Sequence, residues 1–354
     1  SSNANNLAAI SAASERDVWA VGDYYTQSGD NQVFRNLALH WDGSRWTATA
    51  VPNASDLENT LFSVAALPNG RAWAVGYYAD ASFTIRSLAE YYDGAAWHVV
   101  PTPNPGGRRT ILFSVAAASP NDVWAVGGQE TGASGRYHSL VEHWDGQRWS
   151  VVPSADPGPR GNELYGVTAK PGAVWAVGQS QGDAFPSTAL VERLAGDRFA
   201  AAPAPSSAQT VDPYAATTVG DTLIGAGDRE TDQGPQTPFG FAVDGRRAVA
   251  RPGVTVATGA NDFYGVTTAG GPAGGTAWAA GRSTDLVSDA QTTLVETLGR
   301  DGRWRVVPTT NPGGAHGSNG FGGITATPTG TLWAAGSWTD GTVSNRTLIE
   351  RYVP

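Results

Sequence analysis

Asp122-Val-Trp-Ala-Val-Gly127 decides the fold, because the same hexapeptide returns as Asp17-Val-Trp-Ala-Val-Gly22, Arg71-Ala-Trp-Ala-Val-Gly76 and Ala173-Val-Trp-Ala-Val-Gly178. Weaker copies follow at Leu223–Gly227, with Ile224 in the Trp place, at Trp278–Gly281 and at Trp333–Gly336. Trp19, Trp73, Trp124, Trp175, Ile224, Trp278 and Trp333 therefore mark seven copies spaced 49 to 55 residues apart, the signature of an array or a propeller. The copies divide the chain at about 1–53, 54–104, 105–155, 156–205, 206–253, 254–310 and 311–354, all within one domain.

Around each hexapeptide lie three more strand-like runs. Segment a precedes it and is rich in small residues, as in Leu61–Ala66, Leu112–Ala117 and Leu164–Ala169. Segment b is the hexapeptide itself. Segment c is Leu88–Tyr92, Leu140–Trp144 or Leu190–Leu194, and segment d is Trp97–Pro101, Trp149–Pro153 or Trp304–Pro308. Short aromatic and β-branched runs broken by Gly, Asn, Asp and Pro read as strands. Between c and d an Asp-Gly recurs at Asp42, Asp93, Asp145, Asp244 and Asp301, the signal of a tight hairpin whose glycine takes a positive φ. The expected fold is all-β, a seven-bladed β-propeller of four-stranded antiparallel blades. Segment d commonly ends in proline (Pro52, Pro101, Pro153, Pro308), which suits an outer edge and places segment a innermost. The last copy stops at Tyr352-Val-Pro354 after segment c. It is either a three-stranded blade, or one completed by the Ser1–Asn6 leader, or one whose strand was removed on maturation.

The 112–153 copy, with its Val123-Trp-Ala-Val-Gly-Gly128, Leu140–Asp145 and Trp149–Pro153, resembles a kelch-type repeat. The motif pair W-A-V-G and W-D-G-x-x-W also resembles that of exported actinobacterial propellers, and Lys170 as the sole lysine fits a GC-rich origin. The resemblance implies a ligand-binding or protein-interaction propeller outside the cell. Kelch-type copper radical oxidases are similar in fold, but their tyrosine–cysteine cofactor has no counterpart in a chain without cysteine.

Composition narrows the function further. The chain of 354 residues carries a net charge of −9, which disfavours nucleic acid and anionic membrane as partners. No apolar run approaches the ~18 residues of a membrane span. Neither Cys nor Met is present, so thiolate chemistry is excluded and the chain is expected to begin at a processing site. Secretion is the expected location.

Residues that recur serve the blade, and departures at equivalent places are free to serve a ligand. On that rule the motif tryptophans are inter-blade core, the Asp-Gly aspartates are turn residues, and Glu90, Glu142, Glu192, Glu296 and Glu350 tie neighbouring strands. The segments between b and c (23–36, 77–87, 129–139, 179–189, 228–238, 282–293 and 337–347) read as long variable loops at one channel mouth. The candidate ligand-binding set there is Asp23, Tyr24, Tyr77, Tyr78, Gln179, Asp228, Arg282 and Trp338, joined by a basic arc of Arg35, Arg86 and Arg346. Aromatics beside planar polar groups suit sugar rings, and the arginines suit a carboxylate or phosphate. An alternative is that these arginines bond loop carbonyls or nearby acids.

Asp183, Asp212, Asp228 and Asp262, with Glu163, form an acidic sector in which calcium is conceivable, although no D-x-D-x-D-G loop accompanies it. No cofactor is expected. Catalytic candidates are sparse: His138, His316 and Tyr137, with Tyr77 as a second acid, would furnish the acid and base of a lyase. The expected function is an exported module binding a glycan or another cell-surface ligand. A polysaccharide lyase or glycoside hydrolase at the same mouth is one alternative, and a protein-interaction platform another.

Overall fold

A computed structural model describes residues 4–28, 31–132, 135–183, 187–206, 209–231, 234–269, 276–342 and 344–353. Each repeat folds as an antiparallel sheet with its strands in chain order. Blade 1 is β1(Ala4–Ser14), β2(Asp17–Ser28), β3(Asn31–Trp41) and β4(Trp46–Thr49). Blade 2 is β5(Asn59–Leu67), β6(Arg71–Ala79), β7(Ile85–Tyr92) and β8(Trp97–Val100). Blade 3 is β9(Arg109–Ser119), β10(Asp122–Thr131), β11(Arg136–Trp144) and β12(Trp149–Val151). Blade 4 is β13(Gly161–Lys170), β14(Ala173–Gln181), β15(Thr188–Ala195) and β16(Arg198–Ala201). Blade 5 is β17(Val211–Val219), β18(Thr222–Thr231), β19(Gly234–Val243) and β20(Ala248–Pro252). Blade 6 is β21(Asn261–Ala269), β22(Thr276–Thr284), β23(Gln291–Leu298) and β24(Trp304–Val306). Among the described residues blade 7 has three strands, β25(Ser318–Ala326), β26(Leu332–Thr339) and β27(Arg346–Tyr352), entered through a 3-10 turn at Gly314–His316.

The first strand of each blade packs on the first strand of the next, and β1 packs on β25, so the ring closes with segment a innermost. Side-chain hydroxyls bind this inner ring. Ser11, Ser63 and Ser114 accept backbone N–H bonds from Ala66, Val115 and Val167 of the following blade, and Thr325 accepts from Ala12 across the closure. Blades 2 and 3, and blades 6 and 7, also share one parallel bridge each, Ile85 with Arg109 and Gln291 with Ser318.

The glycine of the hexapeptide has a steric cause. In all seven blades the inner strand slips register by one residue opposite it, leaving Ala8, Phe62, Phe113, Tyr165, Tyr214, Tyr264 or Gly322 as the extra, bulged residue. A Cβ on Gly76 would lie 1.9 Å from the carbonyl oxygen of Thr60, and the equivalent positions are as crowded. The bulge thus demands a glycine partner and throws its own side chain inward.

Apolar seams between blades form the core. The motif tryptophan of one blade meets the first aromatic of the next blade's outer strand: Trp19 with Trp97 at 5.1 Å between ring centroids, Trp73 with Trp149 at 5.1 Å, Trp124 with Phe199 at 5.5 Å. Trp333 meets Trp46 at 5.5 Å across the closing seam. His40 and His143 stack on Trp19 and Trp124 at 4.2 and 4.1 Å while bonding Asp17 and Asp122, so both are packing residues. The Asp-Gly turns form as expected, with Gly43 at φ +95° and Asp42 capping the N–H groups of Ser44 and Arg45. Hydrogen bonds from the Ser44 hydroxyl and these two backbone groups hold the Asp42 carboxyl at about 2.

Two expectations need correction. The b–c segments are mostly not loops. Their arms continue the ladder, Asp23 pairing Asn36 out to Ser28 with Asn31, because alternating aromatic and β-branched residues extend both strands. The leader does not complete blade 7: Asn5 and Asn6 pair with Tyr24 and Asp23 as the start of β1, while residues 1–3 lie outside the described structure.

Candidate functional site in the channel mouth

The bulged side chains build a cavity of about 820 Å³ at the channel mouth. Phe62, Phe113, Tyr165, Tyr214 and Tyr264 form a continuous arc from blade 2 to blade 6, with successive ring centroids 5.7, 5.4, 5.8 and 5.8 Å apart. Blades 1 and 7 put Ala8 and Gly322 in the same place. A Cβ on Gly322 would lie 2.6 Å from the Ala8 carbonyl oxygen, so the two backbones close together and the arc stays open on that side. Polar groups of the open side, including Asn5, Asn6, Gln291, Ser318 and Ser337, line the same cavity.

Behind the arc stand carboxyl groups. The Tyr165 hydroxyl donates to Glu163 and that of Tyr264 to Asp262, each at 3.1 Å, and the Gln179 amide donates to the Tyr165 oxygen. Tyr214 stands beside Asp228, whose buried carboxyl interacts with the tyrosine hydroxyl. Asp212 is the cross-strand neighbour of Asp228. Burial, reinforced by Asp262 and Asp212, pushes the Asp228 carboxyl up to about 7. Burial and Glu230 push Asp212 up to about 6, and burial raises Asp23 to about 6. Asp262 and Glu163 are likewise raised by burial. Arg282 lies over the Tyr264 ring at 5.4 Å, 3.7 Å from Asp262, and is the one cationic side chain lining the cavity among the described residues.

Of the sequence-derived set, Asp23 and Arg282 line this cavity, while Tyr77, Gln179 and Asp228 contact its wall through Phe62 (tilted, 5.6 Å), Tyr165 and Tyr214. The remainder sit elsewhere. Tyr24 and Tyr78 pair across their hairpins with Arg35 and Arg86, and Tyr78 packs into the blade 1–2 seam. The basic arc is internally engaged: Arg35 donates to the carbonyls of Ser55, Asp56 and Leu57, and Arg86 pairs with Asp80 at 3.0 Å. Arg346 lies over Trp338 at 5.5 Å on the blade 7 hairpin. His138 bonds Asp156 at 2.6 Å, Tyr137 accepts from Arg109, and His316 sits exposed in the turn before blade 7, so each of the three is placed outside the cavity lining. Asp183 is an exposed loop residue apart from the buried aspartates. Among the described residues no three acidic or histidine side chains converge in a metal-binding group.

The sequence reading does not single out the aromatic arc, because segment a reads there as a run of small residues. The signal that separates the arc's members is their place, one residue beyond the strand position that opposes the motif glycine.

No protein-family model matches the sequence, and no curated protein matches it. Solved structures do match in shape. A protein of unknown function from Dyadobacter fermentans superposes with a TM-score of 0.56 at 7% identity, over 99% of this chain and 95% of its own. A Trypanosoma rangeli sialidase in complex with the inhibitor DANA superposes with a TM-score of 0.54 at 10% identity, over 87% of this chain, which spans 56% of the sialidase. Identities this low establish the fold alone: the chain is a β-propeller.

Proposed function

We propose that the channel mouth binds one hydroxyl-rich ligand, a neutral or amino-substituted glycan, as the recognition module of an exported protein. The observation that carries this reading is the open arc Phe62–Phe113–Tyr165–Tyr214–Tyr264 backed by carboxyl groups. Aromatic faces take the apolar C–H face of a sugar, and the rim of amides and carboxyls takes its hydroxyls. A single cation already held by Asp262 argues for neutral or amino sugars over uronates. Blade-by-blade differences around the rim favour one composite site over seven equal ones. The kelch-like and actinobacterial resemblances rest on the sequence motifs and are compatible with this role.

A second reading has its own observation. Asp228 and Asp212 are cross-strand neighbours whose carboxyls are both raised by burial, and a pair of carboxyls is what a glycoside hydrolase requires. A glycan array read for binding and then for released products tests both. Binding without products, weakened about tenfold by Tyr214→Ala, is the expected outcome, equivalent to about 1.4 kcal/mol. Product release abolished by Asp228→Asn would establish the hydrolase. Selective capture of uronic polymers, or indifference to Tyr214→Ala, would overturn the reading.

A further inference from the structure

We propose that the turn-bearing end of blades 4 to 6, opposite the channel mouth, docks a linear polyanion, an acidic polysaccharide carrying sulfate, phosphate or carboxylate groups. The ground for it is a charge asymmetry that the net value conceals. In each antiparallel blade the turns joining first to second and third to fourth strands share one end. On blades 4 to 6 that end carries nine basic side chains against four aspartates, in a chain whose net charge is −9. The same end of blades 1 to 3 carries four arginines against six acids. An excess of five positive charges is therefore confined to one sector of the ring.

The sector is continuous from blade to blade. Lys170 of blade 4 reaches into blade 5 and bonds Asp221 at 2.9 Å. Arg193 lies over the Trp175 ring, with its guanidinium 4.0 Å from where a Cβ on Gly245 would stand, in the Asp-Gly turn of blade 5. Arg251 reaches the matching turn of blade 6, 3.1 Å from where a Cβ on Gly302 would stand. The aspartates of these turns are engaged within them. Asp244 accepts from the Arg246 and Arg247 N–H groups, and Asp301 accepts from the Arg303 N–H and from the Arg305 guanidinium at 2.6 Å. Arg198, Arg246 and Arg303 stand exposed beside them. Guanidinium groups grip oxyanions bidentately, and several along one rim draw in a charged chain at long range. The kind of partner follows from what the sector lacks. None of the exposed large apolar side chains among the described residues lies in these turns, so the anchors that a folded protein partner would use are missing. Stacking platforms for nucleobases are missing for the same reason. A chain of repeated anionic groups needs neither.

The test measures binding of fluorescent dextran sulfate to the whole chain, with unsulfated dextran as the blank. Saturable binding is expected at about 0.15 M salt, its log affinity falling linearly with log salt concentration. Arg246→Glu combined with Arg303→Glu should weaken it at least about tenfold and flatten the salt slope. Arg45→Glu combined with Arg148→Glu makes the same change in net charge on exposed turns of blades 1 and 3, and should leave the affinity within about twofold. Four results would each overturn the proposal. The first is an equal loss in both pairs, which would mean that net charge alone governs binding. The second is no binding at that salt, and the third is a single-stranded oligonucleotide that binds as tightly as dextran sulfate. The fourth is self-association of the free chain that Arg246→Glu with Arg303→Glu abolishes, which would make the acidic mouth of a second copy the occupant.

Discussion

Glu90, Glu142, Glu192, Glu296 and Glu350 occupy one place in the third strand, yet their environments differ for a reason that can be traced to single prolines. The residue six positions after the start of the preceding blade's outer strand faces this carboxyl. Where it has an N–H, it donates: Val254 to Glu296, Thr310 to Glu350, and Ala155 to Glu192 beside the Ser154 hydroxyl. Where it is Pro52, the Asn36 side chain donates to Glu90 instead, at 2.8 Å. The equivalent position for Glu142 is Pro103, which has no N–H, and of the five glutamates Glu142 is the one with both oxygens buried and unpartnered. Burial pushes its carboxyl up to about 8. A carboxyl whose folded value lies above its unfolded value of 4.5 stabilises fully below that value, and the contribution drains away as pH rises through 8. Glu142→Gln should therefore match the wild type in thermal denaturation at pH 5 and exceed it at pH 8, the gap widening by order of 1 kcal/mol per pH unit. An unchanged gap across that range would mean that Glu142 titrates normally. The recurrence of the glutamates is legible in the sequence. The donor each one meets is not, because it belongs to another blade.

The hairpin of inner strand and hexapeptide couples two roles that sequence reading separates. Its glycine and its bulge are one device: the backbone closes in on the glycine, and the extra residue is turned into the channel. Gly76→Ala should accordingly cost about 3 kcal/mol in urea denaturation, at the upper end of ordinary substitutions, because no flexible side chain can yield. Phe62→Ala, one residue beyond the bulge's ladder partner Leu61, should cost far less stability, and near-equal losses would break the account. The hexapeptide, the Asp-Gly turns and the order of strands were all readable from composition and spacing. The bulge was not, since one extra residue inside a strand leaves no compositional mark. Phe62 and its four counterparts were therefore counted as part of a small-residue wall. The b–c segments misled in the opposite direction. Their polar, variable residues look like loops, but alternation around Phe34 and Tyr25 carries the ladder to the hairpin tip, setting those two rings 6.2 Å apart.

Seven copies and a period near fifty residues give the ring directly, and the missing outer strand of the last copy is equally plain in the sequence. How the ring closes could be known only from packing. The seam between blades 7 and 1 is joined by Trp333 against Trp41 and Trp46, by Glu15 receiving the Thr327 and Thr329 hydroxyls, and by the Asn5 N–H bond to Asn345. Every other seam is also crossed by the polypeptide itself, on its way from one blade's outer strand to the next blade's inner strand. The closing seam therefore has no covalent tether within the described chain, and this shapes how the molecule yields to load. Pulled by handles at Ala4 and Tyr352 in an optical trap, the ring should part first at that seam and then shed blades in turn from its two free flanks. Each release would lengthen the tether by roughly 170 Å, the reach of about fifty extended residues. A single rupture of full length would mean that the blades yield as one body, and a staircase would mean that the ring is mechanically a clasped bracelet, strong around its circumference and opened at its clasp.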